Sequence, residues 1–340
     1  MKFLIVGSKA HHSLESSYTR CLKLLGHEVV QWDNKEPSAL FGHRSWWALP
    51  LPLRAAYDAI ASTAFYREVK QQRPDVLFLP KAENIHSRAV KLALEETKAR
   101  LVVWYPDHPF KADMTSMNIL RNLRRCDLFY IWGKFLIDSL HAAGCRRAEY
   151  LPFGFDAELH DCAIEPSESE REKFRCRILF VGTWDREREE SLRPLAEHGL
   201  NIWGPGWENA TDPLLCKTGC IRGGGLYGAD LVKAFKSATL VYNHLRQHNG
   251  PAHNVRTMEV TGIGGGPMIV RRTPEQATDL FLEGKHLLCF SDTAELLTIT
   301  QTPMDPTQSR AMSLAARRQV LERHLLMDRL KQITSDLERL

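Results

Sequence analysis

Arg177-Ile-Leu-Phe-Val-Gly182 is a run of four apolar residues closed by a glycine, and the polar residues that follow lead into a helical stretch ending near His198. Apolar residues at successive rather than alternate positions predict a strand buried on both faces. The chain opens in the same way. Lys2-Phe-Leu-Ile-Val-Gly7 precedes Leu14, Tyr18, Cys21, Leu22 and Leu25 at helical spacing, with Ser13 as N-cap and Gly26 as stop. Outward from the first run, strands are predicted at 27–32, 75–79, 101–105, 128–132 and 148–151, alternating with helices near 53–72, 87–98, 117–124 and 134–143. Beyond the second run come strands at 200–203, 240–243, 267–270 and 287–290, helices at 230–237 and 256–261, and a helical region over 309–340. Such alternation predicts parallel sheets covered on both faces. The expected fold class is therefore α/β, with two tandem Rossmann-like, doubly wound domains facing a cleft. The acidic stretch Glu165-Pro-Ser-Glu-Ser-Glu-Arg-Glu172 has no apolar face and is expected as a linker. It divides the chain into domains at 1–165 and 166–340, with the final helix, about 320–340, packing back on the first domain.

Composition narrows the function classes. Among 340 residues, 45 Lys and Arg oppose 41 Asp and Glu, a net charge of +4 without the basic runs that bind nucleic acid, so no nucleic-acid partner is expected. Met1 to Gly7 is too short for a signal-peptide core, and no stretch approaches the ~18 apolar residues of a membrane span. A cytoplasmic protein is the expectation. The eight cysteines are scattered without a Cys-x-x-Cys pair, which points to free, mostly buried thiols and no zinc site. No G-x-G-x-x-G series follows Gly7, and no P-loop is present, so no nicotinamide, flavin or other cofactor is implied. Gly264-Gly265-Gly266 precedes a strand and reads as a helix stop with a tight turn.

Several ordered motifs carry a resemblance. They are Ile178-Leu-Phe-Val-Gly-Thr-Trp-Asp-Arg-Glu-Arg188, Ile202-Trp-Gly-Pro-Gly-Trp207, Asn254-Val-Arg-Thr-Met-Glu259 with Gly262 to Val270, and Leu282-Glu-Gly284. Together they resemble the C-terminal half of GT-B glycosyltransferases, and more narrowly the CgeB-like, spore-maturation-type branch related to family 4 glycosyltransferases. Val320 to Arg329 resembles that branch's terminal helix. The likeness covers about residues 130–335, and the N-terminal third only by architecture. It implies transfer of a sugar from a nucleotide-diphosphate donor to an unidentified acceptor, which is a small molecule, a glycan or a protein. The alternatives are a sugar-nucleotide epimerase of the same fold and a degenerate, non-catalytic GT-B module that binds carbohydrate or assembles a surface layer.

The residue types suit that chemistry. A strand-to-helix loop with free N–H groups stabilises a diphosphate, and Gly182 to Arg188 supplies one. Arg186, Arg188 and Arg256 either make charge-assisted contacts with the phosphates or are solvated surface charges. In the resembled family the glutamate matching Glu259 contacts the ribose hydroxyls. Family 4 enzymes often carry a second glutamate eight positions earlier, where this chain has Pro251. The sugar contact is then expected from among Asn249, Gly250, His253 and Asn254. Tyr242 and His244 end a strand in the same region, as packed residues or as ligands. Gly204 to Trp207, with the loop before Tyr227-Gly228, resembles the nucleobase site.

In the N-terminal domain Pro106-Asp107-His108-Pro109 follows the fourth strand. Asp107 or His108 is the candidate for the acceptor's proton, unless Asp107 caps the next helix. His11 and His12, after the first strand, and Lys81 and Glu83, after the third, are further possibilities. Ser45-Trp-Trp-Ala-Leu-Pro-Leu-Pro-Leu53 is either a buried arm or a surface for an aromatic or lipid-linked acceptor. No Asp-x-Asp stands at a strand end suited to a metal-bridged pyrophosphate, so a metal-independent route is expected, with positive side chains neutralising the leaving group.

Overall fold

A computed structural model describes residues 1–35 and 50–340, so most of the apolar segment at 45–53 lies outside the described residues. Contacts group the chain into two compact units, Met1–Pro152 with Leu330–Leu340, and Phe153–Arg329.

The first unit runs β1 (Lys2–Val6), α1 (Leu14–Leu24), β2 (Glu28–Trp32), α2 (Leu51–Gln72), β3 (Val76–Pro80), α3 (Ser87–Thr97), β4 (Arg100–Tyr105), α4 (Met117–Leu123), β5 (Leu128–Ile131), α5 (Ile137–Ala142) and β6 (Ala148–Tyr150). Its strands form one sheet in the order β2-β1-β3-β4-β5-β6, every pair parallel. Ser13 caps α1 by accepting from the Ser16 N–H at 3.2 Å, and Gly26, at φ +83°, follows its end.

The second unit runs α6 (Glu168–Phe174), β7 (Cys176–Val181), α7 (Arg186–Leu192), β8 (Leu200–Trp203), α8 (Pro213–Lys217), β9 (Ile221–Gly223), α9 (Gly228–Ser237), β10 (Ala238–Asn243), α10 (Val255–Ile263), β11 (Met268–Arg271), β12 (Leu288–Phe290), α11 (Thr293–Gln301) and α12 (Pro306–Arg323). The sheet order is β12-β11-β10-β7-β8-β9, again with parallel pairs throughout. Ile178, Phe180, Ile202, Leu240, Tyr242 and Ile269 from its strands pack with Leu192, Leu195, Trp207 and Leu215 in one buried cluster. The continuous apolar runs of the strands are buried because helices cover both faces of the sheet.

The final helix, α13 (Leu326–Glu338), spans the boundary, and from Leu330 onward its residues count with the first unit. There the Tyr130 hydroxyl donates to Asp336 at 2.7 Å, and Arg100 donates to the Leu337 carbonyl.

One expectation is corrected and one is refined. The acidic stretch read as a linker contains helix α6, started by a capping box between Ser167 and Glu170 and tied to α9 by Lys233, whose Nζ lies 2.6 Å from Glu170 Oε1. The terminal helical region is two helices, broken at His324, whose side chain turns inward to the Leu280 carbonyl at 3.1 Å.

Each strand order reverses at one point, between β1 and β3 in the first sheet and between β7 and β10 in the second. Loops leaving the carboxyl ends of two such strands diverge to opposite faces and leave a crevice, the general ligand position of open α/β sheets.

Candidate functional site

At the reversal point of the second sheet, the loop after β7 meets the loop after β10. Glycine is required where the neighbouring loop after β8 approaches: a Cβ on Gly204 would lie 1.9 Å from the Gly182 carbonyl oxygen. That carbonyl accepts from the Trp207 indole N–H at 2.8 Å, and Gly182 N–H donates to Trp203 at 2.9 Å. The Gly182 backbone is thus fixed by internal hydrogen bonds.

Asp185 caps α7, accepting from the Arg188 N–H at 2.9 Å, and its Oδ2 receives Arg246 Nε at 2.9 Å and Nη2 at 2.6 Å. Burial pushes this carboxyl up, but the Arg188 N–H and Arg246 outweigh burial and hold it below its ordinary value. Arg188 lies against the Phe180 ring, 5.8 Å from its centroid, and donates to the Thr183 carbonyl at 2.6 Å, while its Nε is buried without a hydrogen bond. Burial, then the nearby Arg246, lowers its guanidinium to about 10. His244, the residue after β10, is buried, and burial followed by Arg188 drives it down to about 4. Arg271, at the end of β11, adds a further positive charge to the field at His244. The result is a cationic cluster, partly shielded from water, at the position where the fold places ligands.

Glu259 differs from expectation. Its Oε2 lies 2.6 Å from Arg256 Nη1 and its Oε1 lies 3.4 Å from His160 Nε2. Burial raises this carboxyl, but Arg256 and His160 together outweigh it and leave it lowered. Arg256 also sits over the Phe235 ring of α9, 5.6 Å from the centroid. The glutamate expected to grip a ribose is therefore held in an internal ion pair, and so is the arginine expected at the phosphates.

The other residues separate. Arg186 is exposed and binds Glu190 at 3.1 Å and Thr211 at 3.0 Å, on the opposite side of α7 from the cluster. Asn254 is the N-cap of α10. Its Oδ1 accepts from the Thr257 N–H at 3.1 Å, and its Nδ2 donates to Asn243 and to the His244 carbonyl, each at 3.1 Å. His253 is buried. Its Nε2 accepts from the Phe153 N–H at 3.2 Å, which leaves Nδ1 to donate to Glu275 at 2.8 Å. Tyr227 precedes α9 and is 61% exposed. Asn249 is buried, and the Gly250 carbonyl accepts from Arg271 at 3.4 Å.

In the first unit, Lys81 and Ala82 follow β3 with φ of +65° and +49°. Two successive non-glycine residues in the left-handed region cost on the order of 1–3 kcal/mol each. This turn sets Lys81 Nζ 2.5 Å from Asp107 Oδ2 and 4.0 Å from Glu83, which in turn accepts from the Tyr105 hydroxyl at 2.7 Å. Burial lowers the Lys81 ammonium, yet Asp107 and Glu83 outweigh it and hold it raised. His108 Nδ1 accepts from the Phe110 N–H at 3.3 Å, which leaves Nε2 as the protonated nitrogen of the neutral ring. Burial lowers the pKa of that ring. His11 and His12 lie in the turn after β1, both exposed. Asp107 therefore belongs to one cluster with Lys81, Glu83 and Tyr105, whereas the His108 ring packs beside Phe110 and Phe135.

Arg246, Asp185 and His160 were not distinguished by sequence reasoning. The usable signal for Arg246 was its place three residues past a strand that borders the reversal point. Nothing local marks Asp185 as a carboxylate shared between two arginines.

Two parallel α/β units, the second with a partly shielded cationic cluster at its reversal point, have the architecture of the GT-B fold class. Residues 186–335 match the family model described as Glycosyl transferase-like. No curated protein matches the chain. Among solved structures, trehalose-6-phosphate synthase OtsA has a TM-score of 0.73 at 11% identity, over 100% of this chain and 99% of that one. Sucrose-phosphate synthase from Thermosynechococcus elongatus has a TM-score of 0.69 at 11% identity, covering 100% and 98%. HepE of Anabaena, solved in complex with UDP and glucose, has a TM-score of 0.65 at 16% identity, covering 100% of both chains. At these identities the likeness is one of fold. Among the described residues no helix is long and apolar enough to cross a membrane.

Proposed function

We propose that this chain is a cytoplasmic glycosyltransferase of the CgeB-like branch, moving a sugar from a nucleotide-diphosphate donor to an acceptor by a metal-independent route. The observation that carries the reading is the cluster of Arg188, in the first turn of α7, and Arg246, in the loop after β10. A departing nucleoside diphosphate needs its developing negative charge neutralised, and guanidinium groups partly shielded from water do this more effectively than exposed ones. The UDP complex of HepE, a protein of similar fold, favours a uridine nucleotide as the first ligand to try. On the acceptor side, Asp107, held by Lys81, takes the acceptor proton, and His108 donates from Nε2. Glu259 pairs with Arg256 one turn earlier on α10 in the free protein, and a ribose contact there requires that pair to open.

Calorimetric titration with UDP, GDP, ADP and dTDP tests the reading. At least one is expected to bind, and Arg188→Met to weaken it tenfold or more, the effect of losing one charge-assisted contact. Absence of binding by all four would favour a non-catalytic module. Turnover of the donor that requires an added acceptor separates transfer from epimerisation.

A further inference from the structure

His244 is not explained by packing alone. It directly follows β10, is 9% exposed, and its Nε2 is buried without a hydrogen bond. The nearest acid, Glu187 Oε1, is 3.4 Å away without hydrogen-bond geometry and already accepts from the Gln247 N–H at 2.7 Å. A buried polar nitrogen left without a partner costs on the order of 1–3 kcal/mol. The charged groups that bear on the ring are Arg188 and Glu187 from α7, Asp185 before it, Arg246 beyond β10 and Arg271 from β11. Three cations against two carboxylates keep the imidazole neutral, and burial acts in the same direction.

A diphosphate entering this cluster would reverse that balance. We propose that His244 takes up a proton from solvent when a diphosphate binds between Arg188 and Arg246, and that its Nε2 then donates a hydrogen bond to a diphosphate oxygen. This rests on the cluster being the donor's diphosphate site and adds a residue that responds to ligand charge. An opposing charge within about 4–6 Å raises a histidine by about 1–3 pH units, enough to bring a ring at about 4 toward the neutral range. The protonated ring strengthens hold on the leaving group only when the ligand is present. Nothing is oxidised or reduced, and the proton comes from the buffer.

Proton uptake on UDP binding, measured by calorimetry at pH 6 in two buffers of different ionisation enthalpy, tests this. The terminal phosphate of UDP titrates near pH 6 as well, so the informative quantity is the difference between the unaltered protein and His244→Gln. We expect the unaltered protein to take up about half a proton more, and its affinity for UDP to fall more steeply between pH 6 and 8. Should the variant not fold, histidine ring nitrogen shifts of the unaltered protein give the same answer, with one ring passing from neutral to protonated on addition of UDP. Binding with equal uptake in both proteins, or with no ring changing state, overturns the role of His244 while leaving the diphosphate site intact. Failure of UDP, GDP, ADP, dTDP and inorganic pyrophosphate to bind at all overturns the site itself.

Discussion

Glu189 is 2% exposed, and its carboxylate accepts from Trp184 Nε1 at 2.8 Å, from the Thr211 N–H at 2.7 Å and from the Asp212 N–H. These bonds anchor the loop after β7 to the segment before α8, and so support the cap that Asp185 provides to α7. Glu189→Ala leaves these buried donors without a partner and is expected to cost on the order of 3 kcal/mol. The check is the urea midpoint, which falls while the slope is unchanged; a midpoint equal to that of the unaltered protein contradicts the assignment. None of this is visible in the string Arg186-Glu-Arg-Glu-Glu190, where five charged residues look alike. On a short helix, positions two apart point to different sides. Arg188 therefore enters the cluster while Arg186 pairs with Glu190 in solvent. The same ambiguity hides the pairing of Glu259 with Arg256.

At the scale of elements, strand–helix alternation was readable because the principal strands are continuous apolar runs and α1, α3, α9 and α13 each show one apolar face. Two short elements were not: α8 has five residues and β9, Ile221-Arg-Gly223, has three and only one apolar residue, too little for either period to show. Helix α6 was readable in principle, since Ser167 and Glu170 have capping-box spacing, but its charged surface masked that signal. The close approach of the loops after β7 and β8 could be read only as a glycine, not as a contact. Gly204→Ala forces a methyl group against the Gly182 carbonyl and is expected to lower the melting temperature by several degrees, reflecting an overpacking cost of about 1–3 kcal/mol. An unchanged melting temperature would show that the two loops can separate freely.

At the scale of the whole molecule, the two-sheet fold was legible, whereas the side-chain pairings that shape the candidate site were not, because they join residues far apart in sequence. Two buried histidines couple the fold to pH. His324 accepts from Arg329 at Nδ1, 2.9 Å, and burial, followed by Arg329, brings it to about 4; His244 lies at about 4 as well. Both folded values lie below the roughly 6.5 of an unfolded histidine, so between these limits the unfolded chain binds more protons. Stability is thus fully present above pH 6.5 and is lost as pH falls toward 4, on the order of 3 kcal/mol per histidine. Thermal midpoints at pH 7 and 4.5 check this, and His324→Gln is expected to flatten the dependence; a midpoint independent of pH over that range contradicts it.

The most direct measurement is a crystal of this chain soaked with UDP. The account expects the two phosphates among Arg188, Arg246 and His244, within hydrogen-bond distance of at least one guanidinium. UDP bound elsewhere, with Arg246 still closed on Asp185, would contradict it.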